Sequence, residues 1–108
     1  MTEEKEIARF GGKAQRNSGR GILAKGDAVL EPFLVDVKEY SESFGVSRKV
    51  WAKLQGDAFK AQQRQPALML ALGSKEDTAK LRLWVISDTM FKEMLEAWKE
   101  KNEVHEAS

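Results

Sequence analysis

An α/β fold, a small mixed sheet flanked by helices, is what this sequence predicts, on three observations. Ala67 to Leu72 is an unbroken apolar run of strand length, as expected of a strand covered on both faces. Phe33 to Tyr40 alternates, with Phe33, Val35 and Val37 on one parity and Leu34, Asp36 and Lys38 on the other. Between and after these strands, two stretches carry apolar residues at helical spacing. The predicted order is α-β-β-α-β-β-α, and in 108 residues it makes one domain, 1–108, with a single modest core.

Glu3 to Phe10 suits a short opening helix closed by Gly11-Gly12. Residues 13 to 26 read as a basic loop punctuated by glycine, with room for a short strand and a turn at Asn17-Ser18-Gly19. Asp27 to Leu30 and Phe33 to Tyr40 are strands joined by Glu31-Pro32, a hairpin signal. Phe33, Val35 and Val37 are expected to face the core. Ser41 to Val46 is a loop, and Ser47 suits the N-cap of a helix from Arg48 to about Gln65, carrying Val50, Leu54, Ala58 and Ala61 on one face. Pro66 is expected to stop that helix before the strand Ala67 to Leu72. A charged turn, Gly73 to Lys80, leads to a strand from Leu81 to Ile86. Ser87 or Asp88 then caps a last helix with an apolar stripe of Phe91, Met94, Leu95 and Trp98, and the tail beyond Lys101 is expected to fray. Trp51, Trp84 and Trp98 each sit in an apolar pattern and are expected in the core. His105 falls in the tail, where no ligand role is expected.

Composition narrows the function. An apolar fraction of 42% is ordinary globular usage, and no apolar run approaches the roughly 20 residues of a membrane span. The polar, acidic start is unlike a secretory signal, and without cysteine there is neither a disulfide nor a thiolate metal site. A cytoplasmic protein is expected. Net charge is only +1, but the charges are segregated. Residues 9 to 25 hold Arg9, Lys13, Arg16, Arg20 and Lys25 with no acid, and residues 48 to 64 hold five basic residues against Asp57 alone. Such segregation can form a basic face that the total conceals.

The chemistry gathers on the central hairpin. Asp36 and Lys38 are two residues apart, so a strand points them to one side. A hairpin through Glu31-Pro32 can bring Asp27 alongside Asp36. Two converging carboxylates, with the Val37 carbonyl between Asp36 and Lys38, offer the hard oxygen donors that Mg²⁺ prefers. Lys38 could orient or help deprotonate an attacking water, or stabilise charge growing on phosphate oxygens. The electrostatic role fits better, because neighbouring carboxylates favour the charged ammonium. The pattern D-x-K is common and does not carry a function alone.

Its context is more specific. Gly11-Gly12-Lys13, Arg16-Asn17-Ser18-Gly19-Arg20-Gly21, Lys25-Gly26-Asp27, Leu34-Val35-Asp36-Val37-Lys38, Trp51-Ala52-Lys53-Leu54 and Pro66-Ala67-Leu68-Met69-Leu70 follow one another in order. This run, more than half the chain, resembles the phage and prokaryotic Holliday junction resolvase-like nucleases of the PD-(D/E)XK superfamily. The resemblance implies a restriction-endonuclease-like core and a Mg²⁺- or Mn²⁺-dependent DNA endonuclease. It makes Asp27 and Asp36 metal ligands and Lys38 the catalytic lysine. It also implies an acid on the opening helix: Glu4, one turn before Ala8 in an E-x-x-x-A arrangement, with Glu6 as the alternative. Ser18 resembles the family's serine-glycine element near the scissile phosphate. Lys13, Arg16, Arg20, Lys25 and Lys53 are expected on the DNA backbone, which positions DNA without reading sequence, and Gln62 and Gln63 are placed on the same helix as Lys53. Resolving a four-way junction takes two symmetric cuts, which implies a homodimer, in the host cytoplasm if the protein is phage-encoded. Two other functions fit the same residues: a flap, nicking or recombination-associated nuclease, and a non-catalytic DNA-binding module.

Overall fold

The computed structural model describes residues 2–14, 27–74 and 80–107, with side chains for 5–13, 27–74 and 80–103. The chain runs α1 (Thr2–Phe10), β1 (Lys13–Ala14), β2 (Asp27–Leu30), β3 (Phe33–Tyr40), α2 (Arg48–Lys60), β4 (Gln65–Leu72), β5 (Leu81–Val85) and α3 (Asp88–Ala107). It is a mixed α/β protein. One sheet holds four strands of four to eight residues, with the two-residue β1 on its edge, in the order β1-β2-β3-β4-β5. All neighbours are antiparallel except β3 and β4, which run parallel because α2 carries the chain back between them.

Both sheet faces are covered, so alternation on β3 sorts residues between two apolar layers rather than between core and water. On one face Val35 and Val37 pack with Ala28, Ala67, Met69, Ala71 and Ile7 of α1. On the other, Leu34 packs with Val29, Leu68 and Leu70 under Leu54 and Ala58 of α2 and its C-cap Ala61. Leu34 has no exposed surface. Assigning the core to the parity of Phe33 alone therefore captures one layer of two.

Ser47 caps α2, its hydroxyl accepting from the Val50 N–H at 3.1 Å. The helix ends at Lys60, well before Pro66. Gln62 and Gln63 leave it in the left-handed region, at φ 61° and 55°, and the Arg64 N–H closes on the Ala58 carbonyl at 2.9 Å. The two glutamines form the exit turn, not the helix. Pro66 instead lies inside β4, near its start, where a proline is tolerated. The Gly11 turn matches expectation, with φ 82°.

A polar clamp fixes the β2–β3 turn. Arg64 donates from Nε and Nη2 to the Glu31 carboxylate, at 3.0 and 2.8 Å, and from Nη1 to the Ala61 carbonyl at 3.0 Å. The hydrogen bonds to Arg64 hold the Glu31 carboxyl below its usual range. On the far side of the sheet, Glu39 pairs with Lys80.

At the C-terminal end one of the two expected caps is found, while the extent of the helix and the burial of the tryptophans differ from expectation. Ser87, not Asp88, caps α3, its hydroxyl accepting from Met90 at 3.1 Å, and the helix continues to Ala107 rather than fraying after Lys101. Trp84 and Trp98 are exposed and Trp51 is half-buried, so none of the three is a fully buried core residue. A periodic apolar stripe shows that a face is apolar; it does not show that the same chain covers it. No helix among the described residues is long and apolar enough to cross a membrane.

Candidate active site

The hairpin turn sets the geometry. With Leu30 opposite Phe33, antiparallel pairing puts Asp27 directly opposite Asp36, and directly opposed residues project to the same face. Lys38, two residues on, shares that face, which is the α2 side. There the three side chains line a cavity of about 250 Å³, closed by Phe44, Val50, Lys53, Leu54 and Asp57. The residues predicted from the strand pattern are therefore brought together in one pocket.

Asp27 is buried and Asp36 partly buried. Lys38 Nζ lies 3.4 Å from Asp36 Oδ2 and 5.7 Å from the centre of the Phe44 ring, which is itself stacked on Tyr40 at 5.1 Å. The aromatic pair thus gives the lysine a floor, and a cation over a ring face is favourably placed. Burial pushes the Asp36 carboxyl above its usual range, only partly offset by the charge and hydrogen bond of Lys38.

Asp57 and Phe44 were not predicted. Asp57 projects from α2 into the pocket wall and receives the Lys53 ammonium at 3.2 Å. A signal was present: Val50, Lys53, Leu54 and Asp57 fall at helical i, i+3, i+4, i+7 spacing, so Asp57 shares a face with the residues that bury α2. The tally of basic residues over this helix obscured it. Phe44 sits in a loop where no periodicity applies.

Other predicted residues fall elsewhere. Arg16, Ser18, Arg20 and Lys25 lie outside the described residues, as does the side chain of Glu4. The helix that carries Glu4 packs against the Val35–Val37 face, through Ile7. Glu6 is not at the strand site: it is buried on that same opposite face, held by Arg82 Nε and Nη2 at 2.7 and 2.9 Å. Lys13 is exposed on edge strand β1. Lys53 is exposed at the mouth of the pocket.

Among the described residues, no three His, Cys, Asp or Glu side chains gather closely enough to hold a metal ion by themselves. Asp27 and Asp36 are a two-carboxylate set. That set fits Mg²⁺, which is commonly held by one or two carboxylates with water and substrate phosphate supplying the remaining oxygens. The pairing of Asp27 with Asp36 across the hairpin puts hard oxygen donors from two adjacent strands on one pocket wall.

Comparison of the chain with protein-family profiles, with curated proteins and with solved structures returned no match.

Proposed function

We propose that this protein is a metal-dependent endodeoxyribonuclease with a restriction-endonuclease-like core, hydrolysing phosphodiester bonds in branched DNA as a homodimeric Holliday junction resolvase. The observation that carries the reading is the register of the central hairpin. It sets Asp27 against Asp36 and puts Lys38 beside Asp36, all facing one open pocket.

Each residue has a physical part. Asp27 and Asp36, with the Val37 carbonyl, would hold Mg²⁺ or Mn²⁺. When bound, such an ion polarises the scissile phosphate and makes water a better nucleophile. Lys38, steadied by Asp36 and the Phe44 ring, offsets negative charge that grows on the phosphate oxygens as water bonds to phosphorus and the leaving oxygen departs. Lys53 at the pocket mouth meets a neighbouring backbone phosphate, and Asp57 holds its ammonium in place beforehand. Glu6 has no part in this chemistry.

The test is cleavage of a labelled four-way junction beside a flap and a linear duplex, in Mg²⁺, Mn²⁺ or EDTA, with wild type and Asp36→Asn in parallel. Paired, metal-dependent cuts in the junction that vanish in Asp36→Asn are expected. Preferential cutting of the flap or duplex would replace the substrate and keep the nuclease. Binding without cleavage in either metal would replace the enzyme with a DNA-binding module.

A further inference from the structure

The C-terminal helix carries an apolar face that no other described element covers. Phe91, Met94 and Trp98 are 51–64% exposed, and α3 has no substantial packing contact with any other described element. On the α2 side of β5, the edge strand that leads into α3, Leu81 and Leu83 are also exposed, opposite Leu72 and Leu70 of β4. We propose that α3, with these two leucines, is the surface on which a second copy of this chain docks, the two α3 helices packing antiparallel about a twofold axis.

The charge pattern of the helix selects this occupant. Read as heptads, Phe91, Met94 and Trp98 take the core positions, and their flanks Met90, Leu95 and Ala97 are uncharged. Lys92, Glu93, Glu96, Lys99, Glu100 and Glu103 all fall on the outward face. An antiparallel pairing sets Met94 of one copy against Trp98 of the other, and Phe91 against the aliphatic stem of Lys101. The same face cannot serve DNA, which needs cations. It does not suit an anionic membrane either, since interfacial helices carry a Lys/Arg-rich polar face and here glutamates outnumber lysines. Area agrees with a dimer. At about 100 Å² for each half-exposed large side chain, the three α3 residues and two leucines hold roughly 500 Å² of apolar surface. Specific interfaces begin at about 600 Å² per partner, which the polar shoulders of the helix complete. A twofold pair satisfies both copies with one self-complementary patch.

The inference does not depend on the nuclease reading, because its test uses no DNA. Light scattering or sedimentation at about 50 µM, above the micromolar upper end of Kd for interfaces of standard size, should give twice the mass of one chain. Trp98→Glu and Met94→Glu should give one chain's mass while still melting cooperatively, at a Tm that no longer depends on protein concentration. Trp84→Glu, on the α1 side, should leave the dimer intact. The chain has no cysteine, so Ala97→Cys beside the axis supplies an independent reading: mild oxidation should link two copies covalently. A wild type that stays monomeric, a Trp98→Glu protein that stays dimeric, or an Ala97→Cys protein that does not cross-link overturns the proposal. Partition of wild type onto phosphatidylserine vesicles without self-association also overturns it.

Discussion

The two faces of the sheet treat buried acids differently. Under α1, Glu6 meets Arg82 in a two-point pair that matches one carboxylate with one guanidinium. Under α2, three carboxylates, Asp27, Asp36 and Asp57, line a pocket with two ammonium groups, Lys38 and Lys53. Both faces have an aromatic beside the charges: Phe10 set edge-on to Trp84 on one, Phe44 stacked on Tyr40 on the other. The first arrangement is balanced and joins α1 to β5; such a pair holds elements together. The second gathers several charged groups in one pocket, with Asp36 raised by burial. Perturbed carboxyls of this kind cluster at functional sites.

The largest expected effect tests the α2 face directly. Asp36→Asn should lower junction cleavage about 10³-fold, since polarisation of a phosphate by a held cation is worth several kcal/mol. The same substitution should raise the melting temperature at neutral pH. Burial makes the folded protein hold the Asp36 proton more tightly than the unfolded chain does. The contribution of Asp36 to stability is therefore greatest below the ordinary Asp range and is lost as pH climbs through the raised native value. Melts from acid to neutral pH should show the advantage of the variant growing with pH; an advantage that shrinks with rising pH would contradict the assignment. Lys38→Met should slow cleavage about 10²-fold, the scale of one removed transition-state donor, with junction affinity nearly unchanged.

Glu6→Gln sharpens the contrast from the other face. It should cost about 1 kcal/mol, seen as a lower denaturation midpoint, and leave the cleavage rate of the folded protein unaltered. A cleavage defect there as large as that of Asp36→Asn would erase the distinction between the faces. Lys53→Ala should reduce the slope of log affinity against log salt by about 1, the signature of one lost phosphate contact. Gln63→Gly is the smallest change. It should stabilise the protein by up to about 1 kcal/mol by removing a side chain from a left-handed position.

The site was more legible than its surroundings. Asp27, Asp36 and Lys38 could be aligned from a turn signal and period-two alternation, because a hairpin converts sequence spacing into position with no tertiary information. The same alternation did not reveal that Leu34 lies in a second apolar layer, since a sheet covered on both faces has no polar side to mark. The end of α2 was missed because Gln62 and Gln63 take a conformation usually given to glycine or asparagine, so no residue there announced a stop. Glu6 could not be told from a candidate ligand until Arg82, seventy-six residues away, was seen against it. Trp84 and Trp98 satisfied a core pattern yet are exposed, because an apolar pattern marks a face and not what covers it.

The Arg64–Glu31 clamp sits at the opposite end of β3 from Lys38, yet it governs what the pocket contains. Side chains alternate along a strand, so sliding β3 by one residue would deliver Asp36 and Lys38 into the greasy layer beneath α1 and turn Val35 and Val37 toward the pocket. Arg64 locks the turn to the exit of α2, and the Gln65 N–H bonds the Pro32 carbonyl at 2.9 Å. The hairpin therefore works as an indexing pin. Anyone grafting a longer loop in place of Glu31-Pro32 inherits a parity rule: designs that keep Asp27 opposite Asp36 can preserve the pocket, whereas a net shift of one residue dismantles it without touching any residue that lines it.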